Sequence, residues 1–166
     1  FIHGLGARGN DNVKQLDTMG AALLYYILNN STNCIIAAPQ CPEGSQWVTS
    51  YPGDAGYTPK NVPMTAHLSA AKELLDNIVS SRPVDTNRLY ICGSSNGAGA
   101  AWNLMCRYPS LFAAAIPVAG LRDGSNASAI ASEYTVTPIW TFHGTADETL
   151  NIEGTRKMVQ AIRNAG

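Results

Sequence analysis

Residues 93–97 read Gly-Ser-Ser-Asn-Gly, the spacing G-x-S-x-G, and they stand where an apolar run gives way to a helical period. A serine flanked by glycines two positions away on each side suits a turn too tight for larger neighbours, the nucleophile elbow. Such a turn lifts the hydroxyl clear of the backbone at a helix N-terminus, where free N–H groups favour a developing negative charge. The spacing therefore nominates Ser95 as a nucleophile; Ser94 lacks a glycine two residues before it. A phosphate-binding loop is the competing use of a glycine-rich turn, but the helix that follows carries no Lys-Ser/Thr pair.

Serine chemistry also needs donors for an oxyanion, a base, and a group that orients the base. His3-Gly4-Leu5-Gly6 closes the first apolar segment and is the expected source of one donor, the Leu5 N–H, with the Asn96 N–H as the second. His3 itself is expected in the cleft, bracing this loop by hydrogen bonding rather than acting as the base. His143-Gly144-Thr145-Ala146-Asp147 closes the last apolar run, and Asp147 follows Ser95 as the chain order Ser…Asp…His requires. Its competing role is to cap the final helix; Glu148 and Asp123 are the weaker candidates for the acid. No residue fills the place of the base. Of the three histidines, His3 and His143 belong to the two loops and His67 lies in a helical period upstream of Ser95. The expectation is a base outside residues 1–166.

Short apolar runs ending in Gly or Pro must position these groups. Residues 33–39, 88–93, 112–120 and 138–144 read as strands buried on both faces, the pattern of a parallel sheet. Helical periods lie between them. Val13, Leu16, Leu23, Leu24, Ile27 and Leu28 share one face, and Met64, Leu68, Ala71, Leu75 and Ile78 share another. Residues 96–108, stopped by Pro109, and roughly 152–164 supply two more. The alternation predicts an α/β fold, a doubly wound and mostly parallel sheet with helices on both faces. Ligands bind such sheets beyond the carboxyl ends of the strands, where every motif above falls. Phe1-Ile2-His3-Gly4 reads as the end of a strand and Gly166 follows directly on a helix, so 1–166 is expected to be one incomplete domain, truncated at both ends.

With 166 residues the chain can bury one substantial core. A net charge of −1 gives no electrostatic case for nucleic acid, and the longest apolar run, residues 21–28, is too short to span a bilayer. Cys34, Cys41, Cys92 and Cys106 show no zinc-type spacing; they read as buried thiols, with a Cys34–Cys41 disulfide as the alternative. Two sequons begin at Asn30 and Asn126. The chemistry sketched above calls for no metal or cofactor.

Taken together, "FIHGLGARGNDN", "APQCPEGSQW", "DTNRLYICGSSNGAGAAW", "RYPSLFAAAIPVAG" and "PIWTFHGTADETL" resemble the α/β-hydrolase esterases grouped with polyhydroxybutyrate depolymerases, feruloyl esterases and predicted peptidases. The resemblance implies a serine esterase that forms an acyl-enzyme and acts on small or polysaccharide-linked esters of feruloyl or acetyl type. It also implies secretion, and puts Trp47 near the cleft mouth. An acyl-protein thioesterase or serine peptidase of the same fold, and a non-catalytic binding module, remain alternatives. Two departures stand out: Ala98 occupies a position where that family carries glycine, and the family's closing strand with its Gly-His turn has no counterpart in 1–166.

Overall fold

The computed structural model describes residues 1–17, 19–30 and 33–166. Strands form where apolar runs meet small residues. β1 (Tyr90–Ser94) and β2 (Ala114–Val118) pair in parallel, with Ser94 opposite Val118. Single parallel bridges extend the sheet on both sides, Ile2 beside Gly93 and Ile139 and Phe142 beside Ala115 and Val118. The order across the sheet is therefore the Ile2 segment, β1, β2, and residues 138–142. Parallel neighbours need crossovers. Helix α1 (Met19–Asn29) and helix α2 (Ala66–Ser81) precede β1, α3 (Asn96–Arg107) joins β1 to β2, and α4 (Ile152–Ala165) ends the chain.

α3 is the core helix. It is buried from Asn96 to Cys106, and Trp102 meets Tyr134 edge to face at 5.1 Å. Small residues in its first turns let it approach the sheet closely. A Cβ on Gly120 would collide with the methyl of Ala98, so the methyl that departs from the family pattern occupies space left by that glycine. α2 starts at Thr65, whose hydroxyl accepts the Leu68 N–H, and it buries Leu68.

Three expectations need correction. Residues 33–39 form no ladder. The Ile2 segment spends its Ile2 groups on β1, and its next outward acceptor, the His3 carbonyl, is taken by the Trp47 indole. From the Ile2 segment the terminal ammonium of Phe1 reaches this stretch, at the Ala37 carbonyl, and the Gln15 side chain donates to the Ala38 carbonyl. The apolar face assigned to residues 13–28 is also weaker than its spacing implies: Val13 and Leu28 are exposed, and Leu23, Leu24 and Ile27 are half-buried. Finally, the second face of the sheet is left uncovered by the described residues. Alternation puts Tyr90, Ile116, Trp140 and Phe142 there, and all are exposed, Trp140 at 68% and Tyr90 at 64%.

The outer edge of the sheet is open too. The N–H groups of Trp140 and Phe142 donate inward to Ala115 and Pro117, so those of Ile139, Thr141 and His143 face outward with no partner among the described residues. A groove of about 400 Å³ runs between this edge and α4, lined by Thr141, His143, Ile152, Thr155 and Val159 among others. No helix among the described residues is long and apolar enough to cross a membrane. The four cysteines are free thiols, Cys34 exposed and Cys41 buried. Ser31 and Thr32 of the first sequon lie outside the described residues, and the Asn126 side chain of the second donates to the Tyr57 carbonyl.

Candidate active site

Ser95 connects β1 to α3 at φ 53° and ψ −123°, a region costly for any residue with a side chain. The turn is held from both sides: the Ser95 N–H donates to Val118 O at 2.9 Å, and its carbonyl accepts the Gly99 N–H at 3.0 Å. The flanking glycines have a physical cause. A Cβ on Gly93 would stand 2.5 Å from the Gly97 carbonyl oxygen, and one on Gly97 would strike the Ile2 oxygen and stand 2.5 Å from that of His3. Ser95 is half-buried, and its hydroxyl has no hydrogen-bond partner among the described residues.

The loop after Ile2 lies against this turn. A Cβ on Gly4 would come 3.2 Å from the Ser95 Cβ. Three successive carbonyls of the loop are tied back into the protein. Trp47 Nε1–H donates to His3 O at 2.9 Å, His3 Nδ1–H to Gly4 O at 2.7 Å, and Arg8 Nε–H to Leu5 O at 2.8 Å. In a trans peptide the N–H points opposite to the C=O. Fixing the Gly4 carbonyl therefore turns the Leu5 N–H away from these partners, and neither it nor the Asn96 N–H donates to any acceptor among the described residues.

His3 is buried and both of its nitrogens are committed, since Nε2 accepts the Cys41 N–H at 2.9 Å. Burial holds its pKa below the ordinary histidine value and keeps the ring neutral. Trp47 is buried as well, its ring edge-on to His3 at 5.2 Å. His3 is expected to brace the loop and Trp47 to stand near the cleft mouth; both lie behind the loop, where the imidazole and indole nitrogens hold its carbonyls.

Asp147 shapes the turn after residues 138–142. Its Oδ1 accepts the Thr149 and Leu150 N–H groups, each at 2.9 Å, and Oδ2 lies 3.4 Å from His143 Nε2. The backbone bonds from Leu150 and Thr149, and then His143, hold its carboxyl below the usual carboxylate range. His143 donates Nε2–H to the Leu150 carbonyl at 2.8 Å and accepts from Thr155 Oγ1 at 2.7 Å, which anchors the turn to α4. Of the weaker acid candidates, Asp123 is spent on Ala55 N–H and Ser125 Oγ, and Glu148 is exposed. His67 is the second residue of α2. No imidazole among the described residues hydrogen-bonds to Ser95.

The depressed Asp147 pKa has a consequence for stability. A carboxylate stabilised in the folded state contributes above its unfolded pKa, about 4, and loses that contribution as pH falls through the folded value. The thermal midpoint of the native chain should therefore exceed that of Asp147→Asn by a constant margin above about pH 5, shrinking below about pH 4. Melting curves from pH 7 to 2 measure this. A margin that grows on acidification would contradict the assignment.

The side chain of Asn96 is a feature that spacing did not announce. Fully buried, its Oδ1 accepts the Trp47 N–H at 2.8 Å, and its Nδ2 donates to Val48 O at 2.9 Å and Tyr51 Oη at 3.3 Å. No sequence signal pairs residue 96 with residue 47. A polar side chain inside an otherwise apolar core helix was the available hint.

A strained serine at the carboxyl edge of a parallel sheet, with unspent amides beside it and a carboxylate turn two strands away, defines the α/β-hydrolase class of fold. Comparison with known proteins agrees. Residues 59–137 match the family described as Esterase PHB depolymerase, a stretch that contains Ser95 but neither the 3–6 loop nor the Asp147 turn. The crystal structure of a thermostable esterase matches all of this chain at 30% identity with a TM-score of 0.80, and 43% of that esterase is covered. The chain is thus similar to α/β-hydrolase esterases of the PHB depolymerase type, and spans less than half the length of that solved relative. No curated protein matches it.

Proposed function

We propose that the protein is a serine carboxylic-ester hydrolase working through an acyl-enzyme. One observation carries the reading: Ser95 is held in a strained turn beside two backbone N–H groups, of Leu5 and Asn96, that donate to nothing else described. Ser95 Oγ attacks the ester carbonyl carbon and gives its proton to the base. The Leu5 and Asn96 amides take the charge on the carbonyl oxygen. As the C–O bond breaks, the base returns the proton to the departing alcohol; water then repeats the sequence and frees the acid. Asp147 orients the base. Small acyl esters, including the feruloyl and acetyl types, are the proposed substrates, and the proposed setting is extracellular.

The base is proposed to be a histidine outside residues 1–166. His3 and His143 have both ring nitrogens engaged elsewhere. Ser94, Val118 and Phe142 stand in register on adjacent segments of the sheet, so about two strand spacings, roughly 10 Å, separate the residue before Ser95 from Phe142, after which the Asp147 turn begins. Two side chains and one imidazole ring bridge such a gap. The unpaired outer edge at Ile139, Thr141 and His143 is suited to receive a parallel strand whose C-terminal turn would lie beside Asp147.

Labelling by a fluorophosphonate tests the reading. Residues 1–166 should label slowly at Ser95, and Ser95→Ala should not label. Adding the segment that supplies the histidine should raise p-nitrophenyl acetate hydrolysis by about 10²–10⁴-fold. Labelling that survives Ser95→Ala would remove the mechanism. Full activity from residues 1–166 alone would overturn the placement of the base.

A further inference from the structure

The two amides proposed to meet the oxyanion come from segments 91 positions apart in sequence, Leu5 and Asn96. Something must set their separation. The backbone alone does not, because among the described residues the Ile2 segment pairs with β1 through the single Ile2–Gly93 bridge, before the loop begins.

We infer that the Asn96 side chain and the Trp47 indole form a positioning bracket that fixes the Leu5 amide relative to the Asn96 amide. The inference rests on the oxyanion role proposed above. Its geometry is a continuous chain of buried hydrogen bonds. Asn96 Oδ1 accepts the Trp47 N–H at 2.8 Å and, more weakly, the Val48 N–H at 3.5 Å, while Nδ2 returns to Val48 O at 2.9 Å. Residue 47 is thereby bound to the first residue of α3. Its indole then reaches the other way, donating Nε1–H to His3 O at 2.9 Å. The next carbonyl, Gly4 O, is held by the His3 ring, and the Leu5 N–H belongs to that same peptide unit. From Asn96 to Leu5 the connection runs through one side-chain amide, one indole and two adjacent peptides.

Burial gives the bracket its stiffness. Asn96, Trp47 and His3 are each at least 98% buried. A donor or acceptor released there would lack a water partner, so the linkage has no inexpensive alternative state. An oxyanion donor is effective only within about 2.7–3.1 Å of the developing charge, so loosening one end of the bracket should impair one amide and spare the other.

An NMR titration of residues 1–166 with phenylboronic acid reads this without the base. The boronic acid adds to Ser95 Oγ as an O–B bond forms, its proton goes to buffer, and the resulting boronate oxygen carries the negative charge into the amides. In the native chain the Leu5 and Asn96 amide protons should both move downfield. In Trp47→Phe, which keeps an aromatic ring and loses the N–H, Asn96 should still respond and Leu5 should not, and the apparent Kd should rise about tenfold or more. Asn96→Ala, which keeps its backbone N–H, should give the same selective loss at Leu5. Spectral dispersion reports folding in the same experiment.

A measurement on the native chain needs no substitution. Hydrogen exchange at Leu5 N–H and Trp47 Nε1–H should slow together on adduct formation, with the exposed Trp140 indole unchanged. An intact Leu5 response in either folded variant, or protection of Leu5 without Trp47, overturns the bracket and leaves the esterase reading standing. A native chain in which neither amide responds overturns both.

Discussion

Replacing Ser95 by glycine should make the protein more stable and end its reaction with a fluorophosphonate. The reason is the backbone angle. At φ 53° and ψ −123° a residue with a Cβ is strained by about 1–3 kcal/mol, and nothing in the turn releases it. Glycine removes that strain but adds about 0.5–1 kcal/mol of unfolded-state freedom, so a net gain of about 1 kcal/mol remains. For a chain of this size that is a rise of about 2–4 °C in thermal midpoint. Ser95→Ala is the needed companion. It keeps the Cβ and the strain, so its midpoint should stay close to that of the native chain while labelling is lost equally. Scanning calorimetry of the three proteins separates strain from chemistry. If Ser95→Gly melts below Ser95→Ala, the turn is not strained and the case for Ser95 loses its structural support.

How much of this was legible in the sequence follows from how far each cause reaches along the chain. The Ser95 turn could be read because its glycines answer to one another: a Cβ on Gly93 would meet the Gly97 carbonyl four residues on. The Asp147 turn could be read for the same reason, its bonds going to Thr149 and Leu150. The parallel order of three of the four expected strands followed from apolar runs that need no partner identity. What escaped reading depends on distant partners. Asn96 acts on residue 47, Trp47 on residue 3, and His143 on Thr155 across the groove beside α4. Residues 33–39 have the composition of a strand, but the ladder they would join is interrupted when the Trp47 indole takes the His3 carbonyl. Composition cannot register an acceptor already in use.

Gly97→Ala should be the most damaging small substitution in the chain, against the prediction of helix propensity. Gly97 is the second residue of α3, and exchanging glycine for alanine inside a helix ordinarily gains about 1 kcal/mol. Here the added Cβ would strike the Ile2 carbonyl oxygen and stand 2.5 Å from that of His3. Overpacking against movable side chains costs about 1–3 kcal/mol, and these obstacles are backbone. Both are also pinned: Ile2 O accepts the Ser94 N–H at 3.1 Å, and His3 O accepts the Trp47 indole. Relief therefore requires the Ile2 segment to leave β1 or α3 to leave the sheet, and α3 is the buried centre of the core. The expected cost is about 3 kcal/mol or more, a fall of about 6–12 °C in thermal midpoint. Gly144→Ala, at a position with nothing within 4 Å of the added Cβ, should change stability by no more than about 0.5 kcal/mol. Because the first effect acts through the His3 carbonyl, it should reach the proposed oxyanion site as well. In whatever fraction of Gly97→Ala remains folded, Ser95 should label more slowly than in the native chain. A Gly97→Ala protein that melts at or above the native midpoint would mean that propensity governs this turn, and the close approach of loop and helix would lose its standing as the reason for the glycine.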